Sequence, residues 1–154
     1  MIFRSNHLNT GYVFGRFDAF EGTATVENDQ PTAFNVKIQV QSINSGNPKR
    51  DGHLKSPDFF SANEFPTIEF KSTSVKQVSD GKYEVAGDLT MHGQTKPITI
   101  NVEKVGQSST QQFGPRIGYA ASFTVKRSDF GIAAMPQVVG DDVLLMVGFE
   151  TTKG

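Results

Sequence analysis

Polar and apolar residues alternate strictly through much of this chain. Phe34, Val36, Ile38 and Val40 take turns with Asn35, Lys37, Gln39 and Gln41, the pattern of a strand with one wet face and one dry face. The same period predicts strands over 1–8, 14–20, 22–27, 117–125 and 143–149, and an outgoing strand over 67–78. Asp80-Gly81 is a type I′ hairpin signal and Gly93-Gln94 fits a type II′ turn. The second turn pairs Leu89 with Ile98, Gly87 with Ile100 and Val85 with Val102. The first pairs Leu89 with Ser72 and Gly87 with Ser74. Both put Ile68, Phe70, Val85, Leu89, Met91, Ile98, Ile100 and Val102 on one inner face, while Glu69, Lys71, Asp88, Asn101 and Glu103 face water.

One segment breaks the period. In RDGHLKSPDFFSANEFPTIEF, from Arg50 to Phe70, a short helix is embedded between strands. Asn47 can cap it, Pro48 suits its first position, Asp51 stands four residues before Lys55, Gly52 weakens the turn and Pro57 stops it. Leu54, Phe59 and Phe60 need burial, and a lid over one end of a barrel satisfies them. The predicted fold is therefore all-β: an antiparallel, eight-stranded, lipocalin-like barrel with a helical lid around residues 48–60 and a pocket open at one end. About eight strands is the number whose barrel can hold one small ligand.

The inner face then supplies a candidate lining: Phe34, Val36, Ile38, Val40, Ile68, Phe70, Val85, Leu89, Ile98, Ile100, Tyr119, Phe123, Val143, Leu145 and Val147. Ser72, Ser74 and Gly87 form a low patch among these larger residues. The missing volume is either a ligand's place or a bulge and close strand contact at Gly87. In the last strand Leu144 and Met146 are apolar on the opposite face, so a homodimer interface or a covering loop is expected there.

Composition narrows the partners. Fifteen basic against sixteen acidic residues, with no basic block, argue against nucleic acid or an anionic membrane surface. The chain has no cysteine, hence no disulfide, thiolate nucleophile or cysteine zinc site. The longest apolar run, 143–149, is too short for a membrane span, and the first residues lack the build of a signal peptide. Thirteen Phe and no Trp suit an oily interior without polar handles. His7, His53 and His92 share no metal-ligand spacing, and no nucleophile elbow or phosphate-cradling glycine loop occurs. No catalytic, metal or cofactor site is assigned. Arg127 and Asp129 can pair or anchor the following loop, and Arg16, Arg50 and Lys96 are the candidates for an anionic head group at a rim.

Five segments in series, GRFDAFEG (15–22), RDGHLKSPDFF with FPTIEF (50–70), GDLTMHGQTKPI (87–98), RSDFGI (127–132) and GDDVLLMVGFE (140–150), resemble the YceI-like family of polyisoprenoid-binding, lipocalin-like barrels over nearly the whole chain. The resemblance implies one domain over 1–154 and a non-enzymatic carrier or store for a long isoprenoid lipid, of polyprenyl phosphate or quinone type. It also implies a periplasmic or otherwise extracytoplasmic location, while the chain itself shows no signal peptide and leaves a cytoplasmic one open. Family members usually carry a further strand-forming stretch before the position of Met1, so the first strand is expected to be shortened and one barrel seam weaker. The alternative is a structural or protein-interaction barrel using the outer face near Leu144 and Met146.

Overall fold

In the computed structural model, which describes residues 1–152, ten strands form a single antiparallel sheet. They are β1 (Ile2–His7), β2 (Gly11–Phe17), β3 (Phe20–Glu27), β4 (Gln30–Gln39), β5 (Ile43–Asn44), β6 (Thr67–Ser79), β7 (Lys82–Met91), β8 (Gln94–Thr110), β9 (Gly114–Lys126) and β10 (Val139–Thr152); helix α1 (Pro48–Lys55) follows β5. The spatial order is β3-β4-β6-β7-β8-β9-β10-β1-β2-β5. Its two ends belong together, because β3 continues β2 through Asp18 and Ala19, and β5 continues β4 through a 3-10 turn at Val40–Ser42. Gln39 N–H donates to the Ala19 carbonyl (2.9 Å) and Asp18 N–H to that of Ser42 (3.1 Å), which holds this corner. Merging β2 with β3 and β4 with β5 gives eight runs, the expected number, although the expected division into 14–20 and 22–27 falls instead at Asp18 and Ala19. The sheet thereby curls into a barrel-like shell.

The inner face is the expected one. Ile68, Phe70, Val85, Leu89, Met91, Ile100 and Val102 are buried and Ile98 is half-buried, while Glu69, Lys71, Asp88, Asn101 and Glu103 are exposed. Both predicted registers are wrong by two residues. At the β7–β8 turn the left-handed residues are His92 (φ 51°) and Gly93 (φ 72°), so Met91 pairs with Gln94 and Leu89 with Lys96, not Ile98. Positive φ at both central residues is the I′ geometry that follows strand twist, and histidine is among the side chains that tolerate it. In the β6–β7 turn only Gly81 (φ 67°) is left-handed, which is not a I′ turn. Two bulges in β6, at Val78 and Thr73, then shift the pairing, so that Leu89 faces Phe70 and Gly87 faces Ser72.

The lid forms as its residues dictate. Asn47 accepts the Arg50 N–H (3.1 Å), Pro48 opens α1, and the helix stops at Lys55 before Pro57. Asp51 does not meet Lys55: its carboxylate accepts the Ser45 N–H (2.8 Å), fastening the helix to the end of β5. Phe59 is buried, and Phe60 meets Phe17 of β2 edge-on at 5.8 Å, with Phe3 of β1 a further 5.7 Å from Phe17. This aromatic chain docks the lid on the wall.

β10 outruns β1: Ile2 pairs with Met146, the last such pair toward the C-terminus, so among the described residues Val147–Thr152 have β9 as their one neighbour, and β3 has β4.

Candidate functional site: an apolar cavity under the lid

A cavity of about 140 Å³ lies inside the shell. Leu54, Phe59 and Phe60 close it at the lid end, and it runs past Phe34, Val36, Ile38, Ile68, Phe70, Leu89, Ile100, Phe123, Val143 and Leu145 to Val147 and Phe149, where β10 has passed the end of β1. The eleven candidate positions that border it follow period-two alternation on β4, β6, β7, β8, β9 and β10. Two polar side chains, Ser5 and Arg127, also border it. An apolar cavity of about 150 Å³ stays dry and accepts a benzene-sized guest, so this one admits about one five-carbon isoprene unit before side chains must turn. The hollow is narrower than a cavity prepared for a whole long tail.

Seven candidate positions do not border the cavity. Val85 and Tyr119 are fully buried in solid packing at the end away from the lid, where the Tyr119 ring lies 5.2 Å from Phe34 and 5.7 Å from Phe149, and the Tyr83 hydroxyl donates to Gln30 Oε1 (2.9 Å). Val40 is consumed by the corner turn. Ser72 uses its hydroxyl to accept the Phe34 N–H (2.9 Å), replacing the ladder carbonyl where β4 and β6 part after Asn35 and Lys71. Ser74 is exposed, and Ile98 is half-buried away from the void. Gly87, a seventh, settles the low patch: a Cβ there would lie 2.6 Å from the Lys71 carbonyl oxygen and 2.6 Å from the Phe70 ring, so the glycine marks a close strand contact and no ligand volume.

The three rim cations lie away from the cavity. Arg16 pairs with Asp18 (2.6 Å) in the open, and Arg50 donates through Nε to Ser45 Oγ (2.8 Å) and through Nη2 to the Ser45 carbonyl (2.7 Å). Lys96 is exposed on β8. Arg127 and Asp129 do not pair; Arg127 instead ties the 3-10 turn Arg127–Phe130 to the chain entering β10. His53 meets Asp58 at 2.9 Å on the lid's exposed side, and His92 Nδ1 lies 3.1 Å from the Phe130 carbonyl, so these two histidines have structural partners.

Other lining residues escaped the sequence reading. Phe3 and Ser5 of β1 and Phe17 of β2 follow the same alternation and could have been found by it. Phe3 sits over Gly15, its cross-strand partner, in space that any side chain at 15 would claim. Ile132 and Arg127 lie in an irregular stretch with no period to read.

A curled antiparallel shell with a dry cavity beneath a helical lid is a lipocalin-like barrel. The chain belongs to the YceI-like domain family, whose profile matches residues 1–151. A UPF0312 protein of Vibrio cholerae is 40% identical over 135 residues, covering 86% of this chain and 71% of that protein. The crystal structure of the Campylobacter jejuni YceI protein superimposes with a TM-score of 0.87 at 26% identity, over 97% of this chain and 90% of that one. A polyisoprenoid binding domain from Saccharophagus degradans shares the fold, with a TM-score of 0.73 at 16% identity over 97% and 90% of the two chains.

Proposed function

We propose that this barrel is a non-enzymatic binder of an isoprenoid lipid, serving its storage or transport, and that it works outside the cytoplasm as the family resemblance implies. The observation that carries the reading is the internal cavity, apolar but for Ser5 and Arg127. The description of the Saccharophagus degradans domain as polyisoprenoid binding supports the choice of lipid. The tail drives binding by leaving water. At about 0.8 kcal/mol per buried methylene-sized group, one isoprene unit contributes about 3–4 kcal/mol before ordering costs. Phenylalanine rings, which turn about two side-chain bonds, line the path by which a longer tail widens the void.

Calorimetric titration with prenyl alcohols of increasing length tests this. Affinity rises with length up to a plateau and depends weakly on salt. Native mass spectrometry of protein purified from cells then finds a lipid-sized adduct. Strong salt dependence with no length effect overturns the reading.

A second reading has its own observation. On the outer face Ile2 (46% exposed) stands beside the half-buried Met146, and Phe14 (54%) and Leu144 flank Arg4, near a groove of about 760 Å³ that Met146, Ser122 and Gly148 help to line. Such a patch suits a second copy of the chain. Sedimentation of wild type and Met146→Glu decides it: a dimer that the substitution dissociates supports this face as an interface, and a monomer in both cases removes it.

A further inference from the structure

Seven non-glycine residues among the described ones have a left-handed backbone, and five of them are Asn, Asp, Ser or His. The other two are Leu8 (φ 53°) and Met135 (φ 53°), and a bulky apolar side chain is strained in that conformation. Both are exposed, at 52% and 43%. They also stand on adjoining loops: Leu8 N–H donates to the Val138 carbonyl (2.8 Å), and the N–H groups of Val138 and Val139 donate to the Met135 carbonyl (2.9 Å each). Behind these loops lies the cavity, because Ile132 and Val139, on either side of Met135, both border it. His92, held at the Phe130 carbonyl, meets Phe65 of the segment after α1 edge-on at 4.8 Å, so the Met135 loop and the lid close the same end of the shell.

No lysine, arginine, aspartate or glutamate occurs in 5–15 or in 130–140. Exposed Asn9, Thr10 and Gln137 interrupt the two apolar side chains, which makes them separate knobs and not the continuous apolar area of a protein interface. On the outer wall the exposed Tyr12 pairs with Asn6, two levels down the hairpin from Leu8, a drop of about 7 Å. The Arg4 guanidinium lies 4.3 Å over the Tyr12 ring. Apolar tips, then a tyrosine with a cation, follow the order of layers met on entering a bilayer surface, where the apolar boundary lies about 5–10 Å beneath the headgroups.

We propose that the loops carrying Leu8 and Met135 dock on the surface of a neutral lipid bilayer, the two side chains entering the apolar boundary while Tyr12 and Arg4 lie among the headgroups. The use of that contact, exchange of lipid with the cavity behind it, rests on the carrier reading.

Co-sedimentation with phosphatidylcholine vesicles tests the surface. Leu8→Asn and Met135→Asn remove the knobs, and asparagine accepts the left-handed backbone, so both variants keep the fold and their urea midpoints do not fall. Wild type should pellet with the vesicles, and added phosphatidylglycerol or salt should change the amount little. Each substitution should weaken vesicle binding about tenfold and the pair about a hundredfold, through the apolar area each side chain buries. Farnesol titration without vesicles should give the wild-type affinity in every variant, because neither side chain borders the cavity. Vesicle binding that the double variant keeps overturns the docking surface, as does binding that needs phosphatidylglycerol and is lost in salt. A dimer that the double variant dissociates, with no vesicle binding, makes the loops a protein interface and overturns it as well. If wild type binds farnesol but not vesicles, the docking surface falls and the carrier reading stands. If it pellets without binding farnesol, the docking surface stands and the carrier reading falls.

Discussion

Leu89→Trp is the substitution that most directly challenges a working cavity. Leu89 borders the void from β7 and is 4% exposed, so a larger side chain there has one direction in which to grow. Trp adds roughly six non-hydrogen atoms to Leu, as many as benzene contains, and a dry cavity of about 150 Å³ holds one benzene. The void here is about 140 Å³, so the added ring atoms occupy nearly all of it. Because the indole enters existing space, the fold should lose only about 1 kcal/mol, the low end of what overpacking costs. A tail denied one isoprene unit loses about 3–4 kcal/mol, or about 10²- to 10³-fold in Kd. Leu89→Ala has the opposite sign: it should cost about 2–5 kcal/mol in stability while longer prenyl chains bind more tightly. Urea unfolding measures the first quantity and calorimetric titration with farnesol the second. A folded Leu89→Trp protein whose farnesol affinity stays within twofold of wild type would refute this placement of the cavity.

Gly87→Ala separates close contact from ligand space: with backbone at 2.6 Å from the new Cβ, stability should fall by about 1–3 kcal/mol in urea, while farnesol affinity below the melting transition is kept. Ser72→Ala removes the acceptor of the Phe34 N–H and should cost about 1 kcal/mol, with Ser72→Thr restoring most of it. The two hydrogen bonds from Ser128 hold the Asp141 carboxyl below the usual carboxylate range. A depressed folded-state value gives stability that is present above the ordinary Asp value near about 4 and lost as pH falls through the folded one. Thermal melts should therefore show wild type losing its advantage over Asp141→Asn below about pH 4, and a constant difference down to pH 2 contradicts the assignment.

What the sequence made legible was whatever repeats. Alternation on β4 and on β6–β10 identified the inner face, and the punctuation by Asn47, Pro48 and Pro57 located α1 and its ends. The remainder depended on contacts between distant residues. Nothing local says that Tyr119 meets Phe34 and that Val85 is solid core, while Leu89, four residues on along the same face of β7, still faces a void. Arg127 is a harder case: its three acceptors are backbone carbonyls of an irregular stretch, and carbonyls carry no residue code. A basic residue beside an acid in RSDFGI invited a pairing with Asp129 that the 3-10 turn does not make.

The errors of register explain which faces survived them. A hairpin slip of two residues leaves every side chain on its original side, because the pleat has a period of two. The β7–β8 turn slips by two, so Ile98, Ile100 and Val102 kept their inward assignment although each meets a different partner from the one expected. In β6 the same total is reached in two single steps, at Val78 and at Thr73. One step reverses the faces and the next restores them, so the reading fails only between the bulges. There Val75, opposite Val85, packs against the core, and Ser74 is exposed. Beyond Thr73 the faces agree again, and Ile68 and Phe70 border the cavity as alternation requires. Deleting Thr73 removes only the extra residue: Ser72 still faces Gly87 and Ser74 still faces Ala86, so the ladder closes without a bulge and Phe70 and Ile68 stay inward. The deletion variant should therefore fold with its amide hydrogen-exchange protection from Thr67 to Ser72 kept. Lost protection there, with Phe70 exposed, would refute this account of the bulge.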